Sequence, residues 1–222
     1  MERISGETIP RKILRDPEFA GARRLMARQC GEILHRVHHV DRSRLPPLPS
    51  QSTAAQLEEL RARFDGFGQD LPVFEVALRW LADHPPRQVE PTLVHGDFRN
   101  GNFVVGAEGI RAVLDWELAH LGDPMEDLGW ICVNSWRFGN IDQPVGGFGS
   151  REDLLAGYEA AGDRRVDVDA IHYWEVFGTL RWGVICLIQT FTHLSGEARS
   201  IERAAIGRRA SEAELDLLNL LS

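Results

Sequence analysis

The sequence predicts an α+β, mainly α-helical fold, and three observations carry that prediction. Apolar residues recur at helical spacing through most of the 222 residues, the period shortens to that of strands only between Pro91 and Glu117, and helix-start signals return directly afterwards. With 43% hydrophobic and 26% charged residues the chain can bury one sizeable core, so a single unit spanning residues 1–222 is expected.

The elements follow in order. Asp16 before Pro17 reads as a helix start, the aspartate capping free amides and the proline supplying a preset φ. Leu25, Met26, Ile33, Leu34 and Val37 then keep helical spacing to about His39. His35, His38 and His39 lie at that helix end, where imidazoles pair with terminal carbonyls, and no metal site is expected of them. Residues 42–52, RSRLPPLPSQS, form a proline-rich loop. Two shorter helices follow, one carrying Leu57, Leu60 and Phe64, the other Phe74, Leu78 and Leu81, with Pro85 and Pro86 closing the second. Thr92–Val94, Phe103–Val105 and Ile110–Leu114 read as short strands, the last two joined by the turn GAEG. Asp123-Pro124 starts another helix, Ser150 with Asp153 makes a capping box, and a long apolar helix runs from about Asp167 to His193.

Charge and cysteine usage exclude some functions. A net charge of -8 leaves no broad basic face for a phosphate backbone, so nucleic acid is not an expected partner. Cys30, Cys132 and Cys186 stand far apart, which argues against a zinc knuckle or disulfide framework and for a reducing cytoplasm. The opening MERISGETIPRKIL has charges and a proline where an export signal needs an apolar run. The most apolar stretch, Trp174 to Phe191, contains Glu175 and Arg181, so it reads as a buried helix and no membrane is expected as a partner. Lys12 is the only lysine.

The chemistry concentrates where the period changes. His95-Gly96-Asp97-Phe98-Arg99-Asn100-Gly101-Asn102 has the H-x-D-x-x-x-x-N spacing of a protein-kinase catalytic loop, in which the aspartate orients an acceptor hydroxyl and the asparagine helps hold magnesium. One hairpin later, Val113-Leu114-Asp115 places an aspartate just past an apolar strand, where the metal-binding aspartate of such a site belongs. Phosphoryl transfer asks a protein to position reactants and neutralise charge, so oxygen ligands must converge. Either fragment alone arises often by chance; in this order, with strands between them, they support each other.

Leu93 to Trp130, LVHGDFRNGNFVV and then VLDWELAHLGDPMEDLGW, resembles the signature of the aminoglycoside phosphotransferase and choline kinase-like family. The opening resembles that family's segment after the hinge between lobes, and residues 204–221 are similar to its last helices. The resemblance implies the C-terminal lobe of a kinase-like fold, with a small β-hairpin carrying the catalytic and metal loops and residues 1–12 as a remnant of the hinge. It implies that Asp97 is the catalytic base, that Asn102 and Asp115 bind Mg2+, and that His95 and Asp127 brace the catalytic loop. Arg99, Glu117, Asp123 and Trp116 are second-tier candidates for support or substrate contact, with Asp123 equally a helix cap beside Pro124, and Trp136 close enough to line a pocket.

The expected activity is transfer of the γ-phosphoryl group of ATP to a hydroxyl of a small molecule. The family's N-terminal lobe, which covers the nucleotide and supplies a lysine, has no counterpart before Met1. The chain is therefore expected to be incomplete alone and to need that lobe in cis or in trans. An acidic run of Glu152, Asp153, Glu159, Asp163, Asp167 and Asp169 would suit an aminoglycoside or choline-like cation as acceptor. The wording D-W-E-x-A-x-x-G-D-P looks most like the branch fused to acyl-CoA dehydrogenases, which implies hydroxyacyl-CoA esters. Two other classes stay open: a non-catalytic, pseudokinase-like binding protein, and a metal-dependent phosphohydrolase built on His95, Asp97 and Asp115.

Overall fold

The computed structural model describes residues 3–162 and 165–222. Met1 and Glu2 of the expected hinge segment, and Asp163 of the acidic run, lie outside the described residues.

Helices dominate, as the periodicity predicts. α1 (Pro10–Arg15) leads through a 3-10 turn at Pro17–Phe19 into α2 (Ala20–His38). Asp16 does not cap with its carboxylate; its backbone carbonyl accepts from Phe19 N at 3.2 Å, and Pro17 opens the 3-10 turn, not the long helix. Leu25, placed on the apolar face by spacing, is 48% exposed, whereas Met26 and Leu34 are fully buried. α3 (Thr53–Asp65) is capped by Ser52, and α4 (Pro72–Asp83) begins on its proline. After the strands come α5 (Met125–Trp130), α6 (Arg151–Ala160), α7 (Val168–Leu194), α8 (Ile201–Gly207) and α9 (Ala210–Leu221). Ser150 and Asp167 supply the expected caps of α6 and α7, accepting from Asp153 N and Ala170 N.

α7 is the spine: α3, α4, α5, α8 and α9 all pack against it, and Tyr173, Trp174, Phe177, Leu180 and Leu187 sit in the core. The charge inside this apolar helix is accounted for by partners. Glu175 is buried and receives Arg151 on both oxygens, at 2.8 and 2.6 Å, and Arg137 at 3.1 Å. Burial pushes its carboxyl up, against the pull of Arg151. Among the described residues no helix is long and apolar enough to cross a membrane.

The strands form two antiparallel pairs, one nested inside the other. β2 (Phe103–Gly106) pairs with β3 (Gly109–Val113), the predicted hairpin. β1 (Thr92–Val94) pairs with β4 (His120–Gly122), a three-residue strand the alternation did not reveal. Nesting has a geometric consequence. The two connections between the pairs, residues 95–102 and 114–119, must face each other. Those are the two loops carrying the motif. Glu7 adds a further rung, its N–H and C=O pairing with Val105 at 2.9 Å each, which fastens the N-terminal segment beside the hairpin.

Candidate active site

Asp97 is the centre of the catalytic loop. Its Oδ2 accepts from Asn102 Nδ2 at 2.7 Å and from Arg99 Nε at 3.1 Å; its Oδ1 accepts from Arg99 Nε at 3.0 Å and from Trp130 Nε1 at 2.8 Å. Three donors therefore fix the carboxylate plane, and 14% of the side chain still faces solvent. Asn102 spends its other amide hydrogen on the Asp97 carbonyl at 2.9 Å, which leaves its amide oxygen as the atom able to meet a cation.

The metal loop is joined to this centre through backbone. Leu114 N donates to the Asn102 carbonyl at 2.8 Å, and Leu114 O receives His95 Nε2 at 3.0 Å. The next residue, Asp115, is exposed and has φ 66°, a left-handed conformation that aspartate tolerates better than most residues. His95 is fully buried, and its two bonds fix its tautomer: Nδ1 accepts from Asp97 N at 3.1 Å, so Nε2 carries the proton donated to Leu114. One imidazole thus ties the 95–102 loop to the 114–119 loop. Trp116 packs on it at 4.5 Å, and its own Nε1 donates back to Val113 O at 3.1 Å. Gly96, between the two, has φ 78°, and a Cβ there would lie 2.6 Å from Leu118 O, so the loops meet at a distance only glycine allows.

Beneath them lies Asp127, with no exposure. It accepts from His95 N at 2.8 Å, Gly96 N at 3.0 Å and His38 Nε2 at 3.2 Å. Burial alone would raise its carboxyl; the His38 hydrogen bond and charge outweigh that and hold it below the ordinary range. Asp123 bonds to the start of α5 and to α7. It accepts from Met125 N at 2.9 Å at the start of α5 and from Trp174 Nε1 at 3.0 Å, and burial raises its carboxyl.

Among the described residues no three His, Cys, Asp or Glu side chains cluster as a metal set. An amide oxygen such as that of Asn102 and a carboxylate such as that of Asp115 are each hard oxygen donors, the kind that magnesium takes alongside phosphate and water. The family model described as APH, the phosphotransferase enzyme family, matches residues 1–165. The chain belongs to the phosphotransferase enzyme family. Mouse acyl-CoA dehydrogenase family member 10 is 33% identical over 141 residues, which cover 57% of this chain and 13% of that protein. A protein of Ralstonia eutropha assigned as an aminoglycoside phosphotransferase superposes on 99% of this chain with TM-score 0.80 and 22% identity, this chain spanning 71% of that one. An aminoglycoside phosphotransferase of Streptomyces rimosus, solved with ADP and streptomycin, matches 80% of this chain and 68% of its own, with TM-score 0.57 and 14% identity. The chain thus spans a small part of its curated relative and about seven tenths of its structural one.

The phosphotransferase loop also uses residues that the sequence did not single out. His38, expected to meet helix-end carbonyls, turns inward to Asp127 and to the Tyr158 hydroxyl at 2.9 Å; its neighbour His39 is the one that meets a carbonyl, that of His35 at 2.7 Å. Trp130, given no role by the sequence beyond closing the motif, is a direct partner of Asp97. Glu126 joins His120 and Gln56 at 3.2 and 3.0 Å. The acidic run disperses instead of forming a rim: Asp153 and Asp167 lie at helix caps, Glu159 accepts from Val166 N at 3.1 Å, and Asp169 lines a pocket with Glu175. None of Asp153, Glu159, Asp167 and Asp169 lines the cavity against residues 117–120.

Proposed function

We propose that this site moves the γ-phosphoryl group of ATP to a hydroxyl of a small molecule. The observation that carries the proposal is the direct Asp97–Asn102 contact at 2.7 Å inside two loops locked face to face by His95. Asp97 takes the acceptor hydroxyl's proton as the oxygen–phosphorus bond forms and the bond to the β-phosphate oxygen breaks, releasing ADP. Asn102 and Asp115 are the proposed magnesium ligands, and the ion would supply charge neutralisation at the phosphates. His95 and Asp127 hold the loop in register. Arg99, stacked 4.6 Å over Trp136, clamps the base and keeps it from turning away; Glu117 and Trp116 border the metal loop.

Cover for the nucleotide is proposed to come from an N-terminal lobe, in cis or in trans, with residues 3–12 lying at the hinge. Lys12, the only lysine, is engaged by Glu7 at 3.2 Å, which supports a phosphate-contacting cation from elsewhere. The three cysteines are unpaired and buried, which supports a cytoplasmic setting.

The test is a pair of substitutions in protein completed with such a lobe. Asp97→Ala should lower turnover by about 10² to 10⁴ with nucleotide affinity nearly unchanged. Asp115→Ala should weaken magnesium-dependent nucleotide binding, followed by calorimetry. Equal, mild losses from both would defeat the assignment of roles.

A further inference from the structure

A pocket of about 290 Å³ opens against residues 117–120, between α3, β4 and α7. Its lining includes Glu59, Arg63, His120, Glu126 and Arg181, and the state of each charge decides what it can bind. Glu59 is neutralised by Arg63 and also accepts from Gln51 at 3.2 Å. Glu126 is buried; its Oε2 accepts from Gln56 and His120, while its Oε1 has no hydrogen-bond partner and only Arg181 Nη1 near it, at 3.8 Å. Glu117 is exposed at the rim, two residues past Asp115 on the metal side.

Arg181 is the group left under-coordinated. Its guanidinium lies 4.9 Å over the Trp130 ring, its one hydrogen bond among the described residues is a long one of 3.4 Å to Gly96 O, and about a quarter of the side chain is open. A guanidinium has five N–H donors in a fixed fork, suited to a carboxylate or phosphate. Stacking and the Glu126 charge hold this fork in place without consuming it. The same indole that carries Arg181 on its face donates Nε1–H to Asp97 Oδ1. An acceptor hydroxyl at Asp97 and a charged group at Arg181 are therefore about one indole apart.

Resting on the phosphotransferase reading above, we propose that Arg181 determines acceptor specificity. The acceptor is then an alcohol that also bears an anionic group, carboxylate or phosphate, a few bonds from the hydroxyl presented to Asp97. Aminoglycoside-like or choline-like cations are disfavoured by the same geometry.

Binding tests this without nucleotide or turnover. The Arg181 Nε–H resonance of the full chain, assigned with Arg181→Lys, is followed against 4-hydroxybutanoate, glycerol 3-phosphate, butane-1,4-diol and choline. Saturable shifts are expected from the carboxylate, the phosphate or both, and whichever responds names the anion. Arg181→Gln should weaken that binding by about tenfold or more, the loss expected for a charged hydrogen bond. Arg181→Lys keeps a charge opposite Glu126, should fold like the parent, and should still bind several-fold more weakly. The proposal is overturned if the diol or choline binds as well as the anions, if no anion saturates the resonance, or if both variants stay within about twofold of the parent. Asp97→Ala should leave the anion bound; anion binding through Arg181 in a completed protein that transfers no phosphoryl group would instead overturn the phosphotransferase reading.

Discussion

Asp127 receives two backbone amides and an imidazole where no water reaches, and those partners explain its importance better than any contact with substrate. Asp127→Asn preserves volume but removes the charge facing His38 and puts an NH2 against one of the two amides. Breaking a buried pair in this way should cost about 3 kcal/mol or more, read as a shift in the urea midpoint. A change of less than about 0.5 kcal/mol would show that the network is not needed for folding. His95, Asp97 and Asn102 stood out in the sequence because they share one short loop, whereas Asp127, 32 residues from His95, was pointed to only by the family resemblance. His38 was not legible, since its partner is 89 residues away and a helix-end histidine has a cheaper local use. Trp130 was hidden in the same way: nothing local distinguishes an indole that packs from one that also donates to a carboxylate 33 residues upstream.

Among the elements, the α2–α6 crossing sets the position of His38 and Tyr158. It is made by two glycines from opposite sides. A Cβ on Gly31 would run into the Leu154 carbonyl and lie 2.5 Å from Tyr158 N, and one on Gly157 would run into the Arg28 carbonyl. Glycine to alanine inside a helix would otherwise stabilise by up to about 1 kcal/mol, so the sign of the effect decides the matter. Gly31→Ala and Gly157→Ala should each destabilise by about 1–3 kcal/mol, because backbone cannot yield as a flexible side chain does. Both act by prising the same pair apart, so the double variant should lose less than the sum. A variant as stable as the parent in urea would refute the close crossing. The helices themselves were readable from apolar period and caps. α1 and β4 were not, being six and three residues long, and β4 is also held by partners distant in sequence: Leu121 pairs with Leu93 and, on its other side, with Pro49 and Gln51. The acidic run misled for a related reason, since charge at a helix start is as often spent on capping as on a pocket.

Across the whole molecule, these buried titrating groups predict how stability follows pH. Asp127 is held below its ordinary range, so its contribution is present above the unfolded value and is lost as pH falls through the folded one. His120 has the opposite sign. Burial would lower its value, but the hydrogen bond and charge of Glu126 raise it to about 8, from an ordinary 6.5. Its stabilisation is therefore complete below about 6.5 and is lost as pH rises through 8. Asp123, Glu175 and Asp216, all raised chiefly by burial, each cost stability as pH rises from the unfolded carboxyl value through the folded one, because each then becomes a poorly solvated charge. The His120 share is on the order of 1–2 kcal/mol, which for a domain of this size is a few degrees in Tm. Melting the parent between pH 6.5 and 9 should show a fall that is shallower by that amount in both His120→Asn and Glu126→Gln, whatever their absolute Tm. Since Glu126 also faces Arg181 and His120 belongs to β4, this titration loosens the wall of the pocket as well as the fold. Parallel pH profiles for parent and both variants would mean that the His120–Glu126 pair does not carry the alkaline loss, and the coupling between that wall and global stability would fall with it.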